Sequence, residues 1–394
     1  MHGKPKHMYI PRKIEPEILR ALHNNPVVAI TGPRQCGKST LARHLAKNFH
    51  SSIYLDMERP SDLQKMENAE WFLGSQKGKL ICIDEIQRVP ELFPLMRSLV
   101  DEWGTNGTFL VLGSASHELL MQSSESLAGR ISYKRLTPFL WDEIADGYTL
   151  ETYLSRGGFP RSIMADDDLT SHDWRSDFVA TFLERDLLFW RNFTPATMRR
   201  LWQMLAHVNG QTADYTTLAK SLGMSSATIK QYIDLLESTF MLEVVPAYHS
   251  NLGKRLVKAP KLYISDSGIS TALLGLTSFE ALAGHPALGS VWEQIILSNL
   301  KETLQQGSIY FYRTQHGAEL DFVIQTNNDV YAVECKTSMT PALTRGNYNA
   351  IADIQPRHTF VAAPVASGWP VDATTDVVSI AELPDRIKNM QSIR

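Results

Sequence analysis

The sequence predicts an α/β protein built from several domains, and three patterns carry that reading. A short apolar run at residues 27–30 (VVAI) passes through the glycine loop TGPRQCGK into helical spacing at 39–48. Two helical patterns meet at Gly223 within residues 216–240. Residues 316–338 (HGAELDFVIQTNNDVYAVECKTS) read as two strands around Asn327 and Asn328, residue types suited to a tight hairpin. A chain of 394 residues is also too long for one ordinary hydrophobic core, so two or three domains are expected.

The bulk composition excludes several function classes. Hydrophobic residues at 43% and charged residues at 21% are ordinary for a globular protein, and a net charge of -3 gives no global attraction to DNA or to membranes. Any nucleic-acid surface is therefore local. No apolar run reaches the roughly 18 residues that span a bilayer, and the basic start MHGKPKHMYIPRK lacks the apolar core of a signal peptide. A cytoplasmic protein without membrane contact is expected. Cys36, Cys82 and Cys335 lie in or beside strand-like runs without metal-ligand spacing, which excludes a disulfide framework.

The stretch AITGPRQCGKST (29–40) fits G-x-x-x-x-G-K-[ST] between a strand and a helix. Glycines let backbone N–H groups wrap phosphates, an ammonium neutralises their charge, and a hydroxyl at a helix start can hold Mg²⁺. Gly32, Pro33, Arg34, Gln35, Cys36, Gly37, Lys38, Ser39 and Thr40 are thus the candidate ATP cradle, with Ser39 as a magnesium ligand. LICIDEIQ (80–87) delivers Asp84 and Glu85 at a strand's C-terminal end, where parallel sheets bind ligands. Asp84 would join the magnesium shell, and Glu85 would orient or deprotonate an attacking water. SIYLDMERP (52–60) reads as a further parallel strand, and TFLVL (108–112) as another that ends in Gly113 and Ser114. Ser114 is either a γ-phosphate sensor or a turn residue. Arg130, closing SLAGR, either completes a neighbouring subunit's site or makes a surface ion pair.

The set GPRQCGKST, YLDMERP, LICIDEIQRVPELFPLMRSLVD, LVLGSAS, SLAGR and LTPF resembles the AAA-type ATPases of bacteria and archaea fused to a C-terminal domain of unknown function. The likeness covers almost the whole chain. It implies an AAA-like sheet, Lys38 and Ser39 as phosphate and magnesium ligands, Asp84 and Glu85 as the acidic pair, and Ser114 as sensor. If Arg130 acts in trans, a homo-oligomer such as a hexameric ring follows.

Farther along, residues 141–192 read as helices broken by SRGGFPRS, a lid or linker. A helix at 198–208, the pair around Gly223 with Ser225 or Ser226 as N-cap, and the strands MLEVV and KLYIS follow. That order is the layout of a winged helix-turn-helix. Its loop carries Lys254, Arg255, Lys258 and Lys261 with no acid from 254 to 261, the footprint expected for DNA backbone contacts. Such modules also serve as spacers or protein contacts.

In the last third, a hairpin centred between Asn327 and Asn328 sets Asp321 opposite Glu334. Facing carboxylates destabilise a ladder unless positive charge lies between them. A divalent cation with Lys336 beside it would resolve the conflict. This D…E-x-K arrangement resembles the restriction-endonuclease-like fold, and Glu293, on the helical pattern VWEQIILSNLKETL, matches the acid that the fold draws from a preceding helix. By that likeness Glu293, Asp321 and Glu334 are metal ligands and Lys336 positions the attacking water. An active nuclease, a nucleic-acid-binding relic and a protein-contact module all remain compatible with it.

The expectation is therefore an AAA-like P-loop ATPase domain (1–140), a helical lid (141–195), a winged helix-turn-helix (196–275) and an α/β restriction-endonuclease-like domain (276–394). The chain would use ATP and Mg²⁺ to act on DNA, by remodelling, translocation or gated cleavage. Its rival is a nucleotide-dependent switch whose later domains bind proteins.

Overall fold

A computed structural model of the chain describes residues 9–113, 126–185, 194–249, 257–304, 307–326 and 329–392. Two compact units emerge: one runs through Phe139 and includes Ser238–Phe240, and the other holds Leu140–Glu237 and everything from Met241 onward.

The first unit is a parallel sheet. β1 (Val27–Thr31), β2 (Ser52–Asp56), β3 (Leu80–Asp84), β4 (Phe109–Gly113) and β5 (Ile131–Arg135) lie in the order β2-β3-β4-β1-β5, every pair parallel. β1, β3 and β4 are buried along their whole length, which is why VVAIT, LICID and FLVLG read as unbroken apolar runs. The edge strands β2 and β5 are only partly covered. Leu92, Phe93, Met96, Leu99 and Val100 line one face of α1 (Leu92–Trp103) and join the core formed by Ile81, Ile83, Phe109 and Val111. Because all strands run the same way, the loop after β1 and the acids ending β3 share one edge, with only β4 between them.

In the second unit, α2 (Asp168–Arg185), α3 (Pro195–His207), α4 (Tyr215–Leu222) and α5 (Ser226–Ser238) are followed by the antiparallel ribbon β6 (Leu242–Val245) and β7 (Lys261–Ile264). α4 and α5 meet at Gly223, and the Ser225 hydroxyl accepts from Thr228 N at 3.1 Å, the cap the sequence predicted. Phe159, Phe178, Phe182 and Trp202 form a chain of ring contacts that packs α2 on α3. The buried Arg175 on α2 donates to Ser155 O, Gly268 O and Thr271 Oγ1 at 2.7, 3.1 and 2.6 Å.

A six-stranded mixed sheet closes the chain, in the order β12-β13-β11-β10-β9-β8. Its strands are β8 (Ser308–Arg313), β9 (Glu319–Gln325), β10 (Val330–Cys335), β11 (His358–Ala362), β12 (Trp369–Asp372) and β13 (Thr375–Val378), and α6 (Leu288–Thr303) precedes them. β9 and β10 are antiparallel, with Val330 opposite Gln325 and Val333 opposite Phe322. One further residue along that register sets Glu334 against Asp321, as the hairpin argument predicted. Among the described residues no helix is long and apolar enough to cross a membrane.

Candidate nucleotide site and the C-terminal carboxylate cluster

The loop from Gly32 to Gly37 joins β1 to the helix Lys38–Ala46. Its path needs glycine at two points. Gly32 has φ of +152°, and a Cβ there would lie 2.0 Å from Leu136 O; Gly37, at φ of +106°, turns the chain into the helix. Lys38 is 6% exposed and donates to the loop's own carbonyls, Gly32 O at 2.9 Å and Pro33 O at 2.8 Å. Among the described residues no carboxylate lies within ion-pair distance of it. An enclosed ammonium resting on neutral carbonyls retains most of its charge for an incoming anion. Arg34 approaches Glu58 at 3.9 Å, Gln35 and Thr40 face solvent, and Cys36 is buried.

At the tip of β3 the acid is already organised. Asp84 Oδ2 accepts from the Ser39 hydroxyl at 2.6 Å and from the Tyr54 hydroxyl, while Oδ1 accepts from Glu85 N at 3.0 Å. Tyr54 comes from β2, and the Arg43 guanidinium stacks over its ring at 4.0 Å. Burial, then the bond to Asp84, pushes the Tyr54 phenol well above its ordinary value, so it stays a donor. Glu85 has a left-handed backbone, φ +54°, and its carboxylate accepts from Gln87 Nε2. Burial raises the Glu85 carboxyl, and Lys38 opposes that rise. A raised carboxyl is a stronger base once ionised, as water activation needs.

Two other predicted residues stand elsewhere. Ser114 lies outside the described residues. Arg130 precedes β5, where its carbonyl accepts from Val27 N at the start of β1, about 16 Å of strand away from the loop. Its guanidinium forks onto Asp101, with contacts of 2.5 and 2.9 Å. Of the two alternatives for Arg130, the ion pair is what this chain forms by itself.

The C-terminal acids do come together, but around a different cation from the one expected. Lys261 Nζ sits 3.6 Å from Glu293 Oε2, 3.3 Å from Glu319 Oε1 and 3.3 Å from Asp321 Oδ1. Glu293 Oε2 also accepts from Tyr263 at 2.6 Å, Asp321 Oδ2 from Cys335 N at 2.9 Å, and Glu334 Oε1 from Lys336 at 2.7 Å. Burial first, and Asp321 second, push the Glu293 and Glu334 carboxyls upward. Two expectations are corrected here. Lys261 is not a DNA-contacting base of an exposed loop: it opens β7, is 3% exposed and is held by three acids. Glu293, Asp321 and Glu334 are not free to act as metal ligands, since Glu293 and Asp321 flank Lys261 and Glu334 is bonded to Lys336, and among the described residues no group of His, Cys, Asp or Glu is arranged to hold an ion. Lys336 is tied to Glu334. Lys258 is exposed, whereas Lys254 and Arg255 lie outside the described residues.

Residues 24–145 match the AAA domain, residues 147–280 a domain of unknown function (DUF8612), and residues 288–383 another (DUF4143). Uncharacterised proteins of Mycobacterium bovis and Mycobacterium tuberculosis are each 38% identical over 360 residues, spanning 91% of this chain and 81% of theirs. The chain belongs to their family. With its AAA domain, it is an AAA-type ATPase. An uncharacterised Haemophilus influenzae protein is 24% identical over 284 residues, 63% of this chain and 69% of its own. Among solved structures, the Walker-type ATPase paby2304 of Pyrococcus abyssi shares 14% identity over 68% of this chain and 96% of its own, with a TM-score of 0.47. The Thermotoga maritima RuvB Holliday junction branch migration motor shares 19% over 60% and 90%, with a TM-score of 0.32.

For this AAA-type ATPase, ATP and Mg²⁺ suit the residues present. The buried Lys38 ammonium rests on the carbonyls of the glycine loop, and a hydroxyl and a carboxylate 2.6 Å apart, Ser39 and Asp84, are the hard oxygen donors that Mg²⁺ takes. A divalent ion does not suit the C-terminal acids, because an ammonium already stands among them. Sequence reasoning missed two residues at the nucleotide site. Tyr54 is one. The other is Arg12, 6% exposed, which donates to Cys36 O at 3.2 Å and Thr137 O at 2.7 Å and so pins the loop to the LTPF segment. The alternation in IYLD, which puts Tyr54 and Asp56 on one face, was the available signal for Tyr54; for Arg12 there was none.

Proposed function

We propose that this protein is a Mg²⁺-dependent ATPase that acts on DNA. The observation that carries the reading is the pairing at the sheet edge: a buried Lys38 ammonium borne by loop carbonyls, beside a Ser39 hydroxyl bonded to Asp84. When bound, Mg²⁺-ATP supplies the phosphoryl group to be cleaved. Lys38 would turn from the carbonyls to phosphate oxygens, Ser39 and Asp84 would hold the ion, and Glu85 would take a proton from water. Arg12 keeps the loop in its shape. Ser114 would sense the γ-phosphate, and Arg130 would serve a neighbouring copy's site in a homo-oligomer, exchanging Asp101 for phosphate.

DNA contact rests on the second unit. The succession of α4, Gly223, α5 and the antiparallel β6–β7 ribbon supports reading this segment as a winged helix-turn-helix. Lys230 on α5 and Lys258 beside the ribbon are exposed, and Lys254 and Arg255 belong to the same loop sequence. Cleavage is not part of the reading, given Lys261. ATP turnover measured with and without double-stranded or branched DNA tests both halves. Stimulation that falls steeply with salt is expected. Turnover indifferent to every DNA form would remove the DNA half. The inward-facing Lys261 favours one rival, a nucleotide-dependent switch with protein partners, and salt-resistant capture of a protein without DNA stimulation would select it.

A further inference from the structure

Four acids gather in the second unit, from three elements: Glu293 from α6, Glu319 and Asp321 from β9, and Glu334 from β10. They are set against Lys261, Lys336 and, at the rim, Arg313, whose Nε is 3.6 Å from Glu319. Lys261 reaches this place from another element, the ribbon strand β7, and is 3% exposed. An oxygen-bound Mg²⁺ needs ligands at about 2.0–2.1 Å in nearly octahedral array. An ion bridging Glu293 and Asp321 from the side of Lys261 would stand next to a unit positive charge that is itself almost excluded from solvent. Tyr263 bonds the same Glu293 oxygen that faces Lys261, and Asp321 Oδ2, Glu334 Oε1 and Glu319 Oε2 are engaged by Cys335 N, Lys336 and Arg313. Only Glu334 Oε2, within this set, is buried without a donor.

We propose that Lys261 is the resident cation of the C-terminal carboxylate cluster: its ammonium takes the place of a divalent ion and staples the β6–β7 ribbon to the six-stranded sheet. The cluster is then a joint within the second unit and not a hydrolytic centre. This inference does not depend on the ATP site. Three acids from two elements hold one ammonium from a third, so the ribbon cannot leave the sheet without exposing an uncompensated set of carboxylates.

The test is Mn²⁺ binding followed by electron paramagnetic resonance on nucleotide-free full-length protein carrying Asp84→Asn, which removes the carboxylate proposed as the first unit's metal ligand. With Lys261 intact, no Mn²⁺ is expected to bind. Lys261→Met should bind one Mn²⁺ per chain, and adding Asp321→Asn should abolish it. If Lys261→Met does not fold, Lys261→Met with Glu319→Gln removes one charge of each sign and keeps Glu293, Asp321 and Glu334 for the same measurement. Mn²⁺ bound to the Lys261 protein and lost with Asp321→Asn would overturn the proposal. So would a folded Lys261→Met or double variant that binds no Mn²⁺, or one whose Mn²⁺ survives Asp321→Asn.

Discussion

Two buried lysines separate the two units. Lys38 and Lys261 are both nearly excluded from solvent, 6% and 3% exposed, and both stand beside acids that end or line a sheet. Lys38 is held by two neutral carbonyls, so its charge is available to an arriving phosphate. Lys261 is held by three acidic side chains, so its charge is already used. The same residue type, at similar burial, makes an open anion site in one place and a closed internal bridge in the other. Motifs name the residues; the charge of the groups around them decides what they do.

The sharpest way to break this contrast is to remove each ammonium and measure a different property. Lys38→Ala should lower ATP turnover by at least about 100-fold, the scale of losing a charge that stabilises the transition state, and leave the melting temperature nearly unchanged; full turnover would refute the site. Lys261→Ala should do the reverse. Stranding the acids costs about 3–5 kcal/mol of second-unit stability, read by chemical denaturation, and a loss well below 1 kcal/mol would show that Lys261 is not gripped as described.

The contrast also has a pH signature. Glu293 and Glu334 are pushed up from 4.5 to about 7 and about 8, so the folded second unit keeps protons that the unfolded chain releases. Stability contributed by these protons is present below about pH 4.5 and is lost as pH rises through the folded values, toward pH 8. Glu334→Gln should flatten the upper part of that slope. Stability that climbs between pH 5 and 8 in the second unit would contradict the assignment. The smallest effect belongs to Tyr54→Phe. Losing one hydrogen bond to Asp84, about 1 kcal/mol, should raise the Mg²⁺ concentration for half-maximal turnover about five-fold. Metal-free nucleotide binding should not move, and the melting temperature should fall by only a few degrees, because the ring under Arg43 remains.

How much the sequence revealed followed from how local each signal was. The parallel strands were legible because VVAIT, LICID and FLVLG are buried on both faces and so carry apolar residues without alternation. The β9–β10 register was legible because Asn327 and Asn328, residue types suited to a hairpin, fix which positions of the two flanking apolar runs face each other. Lys261 was not. In KRLVKAPK it ends a run of bases that looks like a solvated loop, yet it begins β7, buried at all four positions, and its acids come from helix and strand residues more than thirty positions away. Arg12 was hidden for the same reason: it acts through partners distant in the chain.

One measurement meets both halves of the contrast at once: Mn²⁺ stoichiometry on the unaltered protein, with and without a non-hydrolysable ATP analogue. No bound ion is expected in the absence of nucleotide and one per chain in its presence, lost with Lys38→Ala. An ion that binds without nucleotide and vanishes with Asp321→Asn, or no nucleotide-dependent ion at all, would contradict it.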